Sequence, residues 1–255
     1  MYRYFIYFSY DGAEYHGWQI QPNGITVQET LTKGLTTYLR KEVKLVGAGR
    51  TDSGVHAMQM VAHFDIDEKI DTSEVASRLN RILPFDIAVH NLVEVCKEAH
   101  ARFDATARTY KYYVTQSKSP FYRNYSWFVF QPLDLELMNQ AATILFEYED
   151  FTSFSKLHSN TKTNLCTLMI AQWEVTSNNQ LVFTIKANRF LRDMVRAIVG
   201  TLVDVGRGKT SLQEFRSIIE AKDRGRAGVS APGQALFLTE IDYPSSLFLT
   251  NNLKK

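Results

Sequence analysis

Between Tyr2 and Cys96 the chain alternates β-branched and aromatic runs with two segments of helical period, and that order leaves few folds open. Tyr2 to Tyr10 reads as a strand. Thr26-Val27-Gln28-Glu29 has the form of a capping box, opening a helix with Val27, Leu31, Leu35 and Leu39 on one face. Val43 to Ala48 and Ala57 to Asp65 read as strands. Asp71-Thr72-Ser73-Glu74 caps a second helix, which carries Val75, Leu79 and Ile82 and ends at Pro84. Ile87 to Cys96 is a fourth strand.

This β-α-β-β-α-β order is the ferredoxin-like arrangement, and the second part of the chain repeats it. Arg108 to Gln116 reads as a strand and Leu135 to Phe146 as a helix. Strands over Thr163 to Val175 and Leu181 to Ala187 are joined by a Ser-Asn-Asn turn signal. Asn188 to Val203 reads as an amphipathic helix, and another helix opens at Ser211-Leu212-Gln213-Glu214. A last strand spans Gln234 to Ile241. Lys118 to Asn124 and Asp150 to Lys162 read as exposed loops. The expected architecture is α+β: two related βαββαβ halves, residues 1–105 and 106–255, sharing a mainly antiparallel sheet.

Hydrophobic residues make up 45% of the chain and charged ones 22%, the balance of a soluble globular protein. No apolar run approaches the roughly 20 residues of a membrane span, and the N-terminus lacks the layout of a signal peptide. Cys96 and Cys166 stand far apart with no C-x-x-C pair, which favours buried free thiols in a reducing, cytosolic location over a zinc site. The net charge of +2 does not argue for a polyanionic partner, but its distribution is uneven. Ten basic residues face five acids between Lys186 and Arg226. Six face two between Lys97 and Arg123, interleaved with Phe103, Tyr110, Tyr112, Tyr113, Phe121 and Tyr122. Bases mixed with aromatics suit an RNA with unpaired nucleotides; solvated charge on ordinary elements is the alternative.

Chemistry concentrates in Gly49-Arg50-Thr51-Asp52-Ser53-Gly54-Val55-His56-Ala57, a polar loop ahead of a strand. Asp52 has no second acid nearby, whereas ordinary glycosidases use two carboxylates about 5–9 Å apart. A lone carboxylate suits a nucleophile or base at a sugar or ring carbon, kept ionised by a cation such as Arg50; capping a turn is its plainer use. In the helix after Asn188, the polar face carries Arg189, Arg192, Asp193 and Arg196, with Arg196 near the middle, where it meets either solvent or a carboxylate. Tyr110 and Tyr112 share one sheet face and Tyr113 the other, for core packing or base stacking. The loop from Tyr10 to Gln21, rich in aromatics and amides, serves either unpaired bases or its own folding. Gly47-Ala48-Gly49 lacks the third glycine of a dinucleotide fingerprint, and Gly208-Lys209-Thr210 has Val203 where a P-loop needs glycine.

In four blocks the chain resembles the tRNA pseudouridine synthase A family: Tyr10-x-Gly12-x-x-Tyr15-x-Gly17-Trp18-Gln19, the Asp52 loop, Ala101-Arg102-Phe103 with Arg108-x-Tyr110, and Phe190-Leu191-x-x-Met194-Val195-Arg196. The resemblance implies two ferredoxin-like halves with a central active-site cleft. It also implies isomerisation of uridine to pseudouridine in the tRNA anticodon arm, by a homodimer, with neither metal nor nucleotide cofactor. By it Asp52 is the catalytic nucleophile, Arg196 its ion-pair partner, Tyr110 the ring stacked on the target uracil, and Arg50 a contact to RNA or to the flipped base. The first step stays open among attack on C1′, addition at C6 and proton abstraction at C2′. Ser53 stands where many relatives carry alanine, and Ala231 to Leu238 matches the family's last block only in outline.

Two other classes compete. A non-catalytic module of two RRM-like halves lacks the RNP-type Lys/Arg-Gly-Phe/Tyr run and has no need of Asp52. A glycoside hydrolase lacks its second acid.

Overall fold

The computed structural model describes residues 1–156 and 162–249, a mixed α/β arrangement whose strands pair mainly antiparallel. The chain forms two compact units, residues 1–106 with 238–255, and residues 107–237. Among the described residues no helix is long and apolar enough to cross a membrane, and no group of three or more His, Cys, Asp or Glu is placed to hold a metal ion.

In the first unit, β1 (Tyr2–Tyr10) is followed by α1 (Val27–Leu39), β2 (Val46–Gly47), β3 (His56–Ile66), α2 (Thr72–Ile82) and β4 (Ile87–Val95). β1 lies between β4 and β3, antiparallel to both. Tyr4, Phe5 and Ile6 are buried in succession rather than alternately because both faces of the strand are covered. Tyr4 stacks on Phe64, and Phe5 meets the rings of Tyr243 and Phe248. α2 starts as its sequence requires: the Asp71 carboxylate accepts from the Ser73 and Glu74 N–H groups. It ends because Leu83, ahead of Pro84, is extended. Ile82 is exposed, not part of the buried face.

Two local readings change in this unit. The capping box at Thr26 is half formed: Thr26 Oγ1 accepts from Glu29 N–H at 3.4 Å, while the Glu29 carboxylate is paired with Lys33 at 2.6 Å. Of Val43 to Ala48, only Val46–Gly47 forms strand, paired with His63 and Ala62. Val43 and Leu45 are apolar because they are buried, not because they are laddered.

The second unit contains β5 (Ala107–Thr115), β6 (Trp127–Phe128), α3 (Leu135–Ile144), β7 (Leu168–Val175), β8 (Leu181–Ala187), α4 (Met194–Gly206) and α5 (Leu212–Glu220). β8 is antiparallel to both β5 and β7, and short β6 runs parallel to β5. α5 has a complete capping box, with Ser211 Oγ accepting from Glu214 N–H and the Glu214 carboxylate accepting from Ser211 N–H at 2.7 Å. The last strand, β9 (Leu236–Asp242), has its first two residues in this unit, where Phe237 packs edge-on against Tyr113. Residues 238–242 belong to the first unit and lie beside β3, where Gln59 Oε1 accepts from Ile241 N–H at 3.0 Å.

α4 departs most from the sequence reading. It begins at Met194, six residues later than the periodicity indicates, because Asp193 is left-handed at φ 68°. It is buried nearly all round instead of showing a polar face, which leaves Arg196 in its first turn. Around 150–156 the expected exposed loop is a 3₁₀ turn with Phe151 and Phe154 fully buried; residues 157–161 of that expectation lie outside the described residues. Residues 118–124 are mostly exposed turns. Cys166 is buried, which pushes its thiol up to about 11, and Cys96 is half-buried; both are free.

Candidate active site

Asp52 is half-buried at the tip of a loop whose backbone is fixed by the segment after β1. Tyr10 Oη lies 2.8 Å from Thr51 Oγ1 in a buried contact. Trp18 N–H donates to Thr51 O at 3.3 Å, Gly54 N–H donates to Tyr15 O at 3.3 Å, and Val55 N–H donates to Asp52 O at 3.2 Å. Gly12 N–H lies 3.0 Å from Nδ1 of the fully buried His56 ring, and the same nitrogen lies 2.9 Å from Asp11 Oδ1.

The glycines of the first sequence block follow from this fit. A Cβ on Gly12 would stand 2.1 Å from Val55 O, and one on Gly17, at φ +85°, 2.4 Å from Thr51 O. Trp18, 1% exposed, lies over Gly47, where a Cβ would meet its ring at 2.5 Å. The aromatic and amide residues of Tyr10 to Gln21 thus largely fold this loop onto its own unit. Tyr15 and Trp18 are buried, and Gln19 Nε2 donates to Gln28 Oε1 at 2.8 Å. Arg50 is exposed on the same loop as Asp52 and lines a cavity of about 460 Å³.

In the second unit, Tyr110 is half-buried on β5 opposite Ile185, its ring edge-on to Phe190 at 5.2 Å. Tyr112, two residues on, is wholly buried, and its hydroxyl donates to Pro232 O at 2.9 Å; burial pushes that phenol well up. Tyr110 and Tyr112 therefore differ in availability, although alternation puts them on one face.

Arg196 is held by a clamp that the sequence reading missed. Its Nε donates to Ala231 O at 2.7 Å and its Nη1 lies 3.1 Å from Asp193 Oδ1. Ala231 N–H donates back to Arg196 O at 2.9 Å. Ser230 Oγ donates to Asp193 Oδ2, and Arg224 Nη2 donates to Ser230 Oγ at 2.7 Å. Gly200 lets this segment approach, since a Cβ there would lie 1.9 Å from Val229 O. The short Ala231–Pro232–Gly233 block was the available signal, but its partners lie some thirty-five residues away in sequence. Arg189 and Arg192 share no helix face with Arg196, because both precede α4; Arg189 Nη1 donates to Thr163 O at 2.9 Å.

Asp52 thus stands half-buried on a glycine-framed loop in a mixed α/β chain. Residues 6–104 and 142–244 match a family model described as tRNA pseudouridine synthase. The chain is 60% identical over 247 residues to a Bacteroides fragilis protein named tRNA pseudouridine synthase A, covering 96% of this chain and 98% of that one. Proteins of the same name from Bacteroides thetaiotaomicron and Thermoanaerobacter sp. are 60% and 41% identical, covering 97% and 93% of this chain and 93% and 98% of theirs. The chain belongs to the tRNA pseudouridine synthase family.

Proposed function

We propose that this chain isomerises uridine to pseudouridine in the anticodon arm of tRNA, with Asp52 as nucleophile. The match to the tRNA pseudouridine synthase family across both units carries this reading. The C1′–N1 bond breaks, uracil turns, and a bond forms between C5 and C1′; the C5 proton is then lost and N1 regains one, so the product is an isomer. The target base must leave its stack, and a half-buried ring such as Tyr110 is a platform for it. Arg196 is the positive charge that keeps the nucleophile ionised, as the family resemblance implies, and its clamp keeps the guanidinium oriented. Arg50, exposed beside Asp52, contacts the RNA. Two ferredoxin-like halves and a homodimer complete the proposal.

The test is Asp52→Ala on a tRNA transcript. Pseudouridine formation should vanish while tRNA binding stays within about tenfold, because binding rests mainly on backbone charge. A fully active variant would overturn the assignment.

A further inference from the structure

The cavity beside the Asp52 loop is lined by residues of the first unit alone. Trp18, Val43 and Leu45 supply apolar lining, and Lys44, Arg50 and Arg102 face a single carboxylate, Glu42. The lining is mixed polar and apolar, and some 460 Å³ open to solvent is room for one nucleotide. The excess of positive charge selects for an anion.

Gly49 narrows the choice. A glycine is normally required by a positive φ or by something packed against its backbone. Gly12, Gly17 and Gly47 each have such a reason, but Gly49 has neither: its φ is not positive, and a Cβ built on it meets no atom within 4 Å. Gly49 does line the cavity, so a side chain there would take space from an occupant rather than from the fold.

Arg102 belongs both to this lining and to the Ala101-Arg102-Phe103 block, which the roles above leave unused. The Phe103 ring is 75% exposed, with the Arg102 guanidinium 5.8 Å from its centroid and the His100 ring 4.3 Å away. Cations beside an exposed, supported ring are how unpaired nucleotides are held: the phosphate on the charge, the base on the ring. Arg50 is two residues from Asp52, a span of at most about 7 Å of chain, which suits a nucleotide adjoining the target.

We propose that this cavity is a second nucleotide subsite, receiving a nucleotide next to the target uridine, its phosphodiester at Lys44 and Arg102, its sugar against Gly49 and its base toward Phe103. The proposal rests on the function proposed above, and its test separates the two. Gly49→Ala and Lys44→Ala are compared with wild type on an anticodon stem-loop RNA, and on the same RNA with a methylphosphonate at either phosphate flanking the target. Gly49→Ala should leave the urea midpoint unchanged, raise KM roughly tenfold and leave kcat within about twofold. Lys44→Ala should weaken binding roughly tenfold and flatten the slope of log Kd against log salt by about 0.7, the value for one single-strand phosphate contact. One of the two methylphosphonates should then cost Lys44→Ala nothing further. Unchanged KM in Gly49→Ala, or losses from Lys44→Ala that multiply with both methylphosphonates, would overturn the subsite. A wild-type protein that forms no pseudouridine would defeat the proposed function instead, with the binding and salt-slope measurements still deciding the subsite.

Discussion

Asp193 combines a left-handed backbone with the charge that orients Arg196, and three substitutions separate those contributions. Asp193→Asn keeps a residue that tolerates φ 68° and keeps one side-chain acceptor, losing only the charge; it should cost about 1–2 kcal/mol. Asp193→Gly relieves the backbone but removes both the contact to Arg196 and the acceptor for Ser230, for about 2–3 kcal/mol. Asp193→Ala loses the same contacts and adds the left-handed penalty of about 1–2 kcal/mol, reaching about 3–5 kcal/mol. Urea midpoints at constant slope give the order directly: Asn mildest, then Gly, then Ala. Equal losses for Gly and Ala would refute the backbone argument. Three unchanged midpoints would refute the clamp itself. Turnover on tRNA should fall in the Gly and Ala variants, where Arg196 keeps Ala231 O but loses its second anchor, and less in the Asn variant.

Three further outcomes are expected. His63, buried with its Nδ1 accepting Ala101 N–H at 3.1 Å, is pushed down to about 4 by burial and then by neighbouring His100 and Arg3. Because its folded pKa lies below the unfolded value of about 6.5, the unfolded chain binds the extra proton; this stability is full above about pH 6.5 and is lost toward pH 4, up to about 3 kcal/mol. His63→Asn should flatten a plot of urea midpoint against pH in that window, and an unchanged plot would dismiss the idea. Gly17→Ala should lose about 2–4 kcal/mol and most activity, since it meets both a positive φ and Thr51 O at 2.4 Å; a wild-type melting temperature would contradict that geometry. Light scattering should give twice the chain mass, and a fully active monomer would remove the homodimer.

What the sequence made legible was local. The Asp71 and Ser211 caps are read from three or four adjacent residues, and both helices begin where those residues place them. The strands β1, β4, β5 and β8 declare themselves by composition over seven to nine residues. Readings failed where a distant partner decides. Phe190 and Met194 keep helical spacing, yet Phe190 packs on Tyr110 and the helix starts only after Asp193 turns left-handed. Val43 and Leu45 look like strand residues but are buried without pairing. Phe151 and Phe154 sit among polar neighbours, and their burial owes to tertiary packing such as Phe154 against Phe215. Asp52, Arg50, Tyr110 and Arg196 were visible as motif residues, whereas the contact of Arg196 with Ala231 O was not, since its partners stand thirty-five residues apart.

The seating of the Asp52 loop on the segment after β1 bears on the energetics of turnover. That segment is itself tied to α1, through Val27 N–H to Gly17 O at 3.2 Å and Gln28 N–H to Trp18 O at 3.0 Å. The carboxylate loop is therefore coupled by main-chain bonds to a helix and need not be organised anew for each substrate. Its ordering entropy is spent when the chain folds, so in the proposed reaction little reorganisation would be left for the chemical step. The same coupling makes the pose of Asp52 depend on Gly12 and Gly17, which leave no room for a Cβ beside Val55 O and Thr51 O.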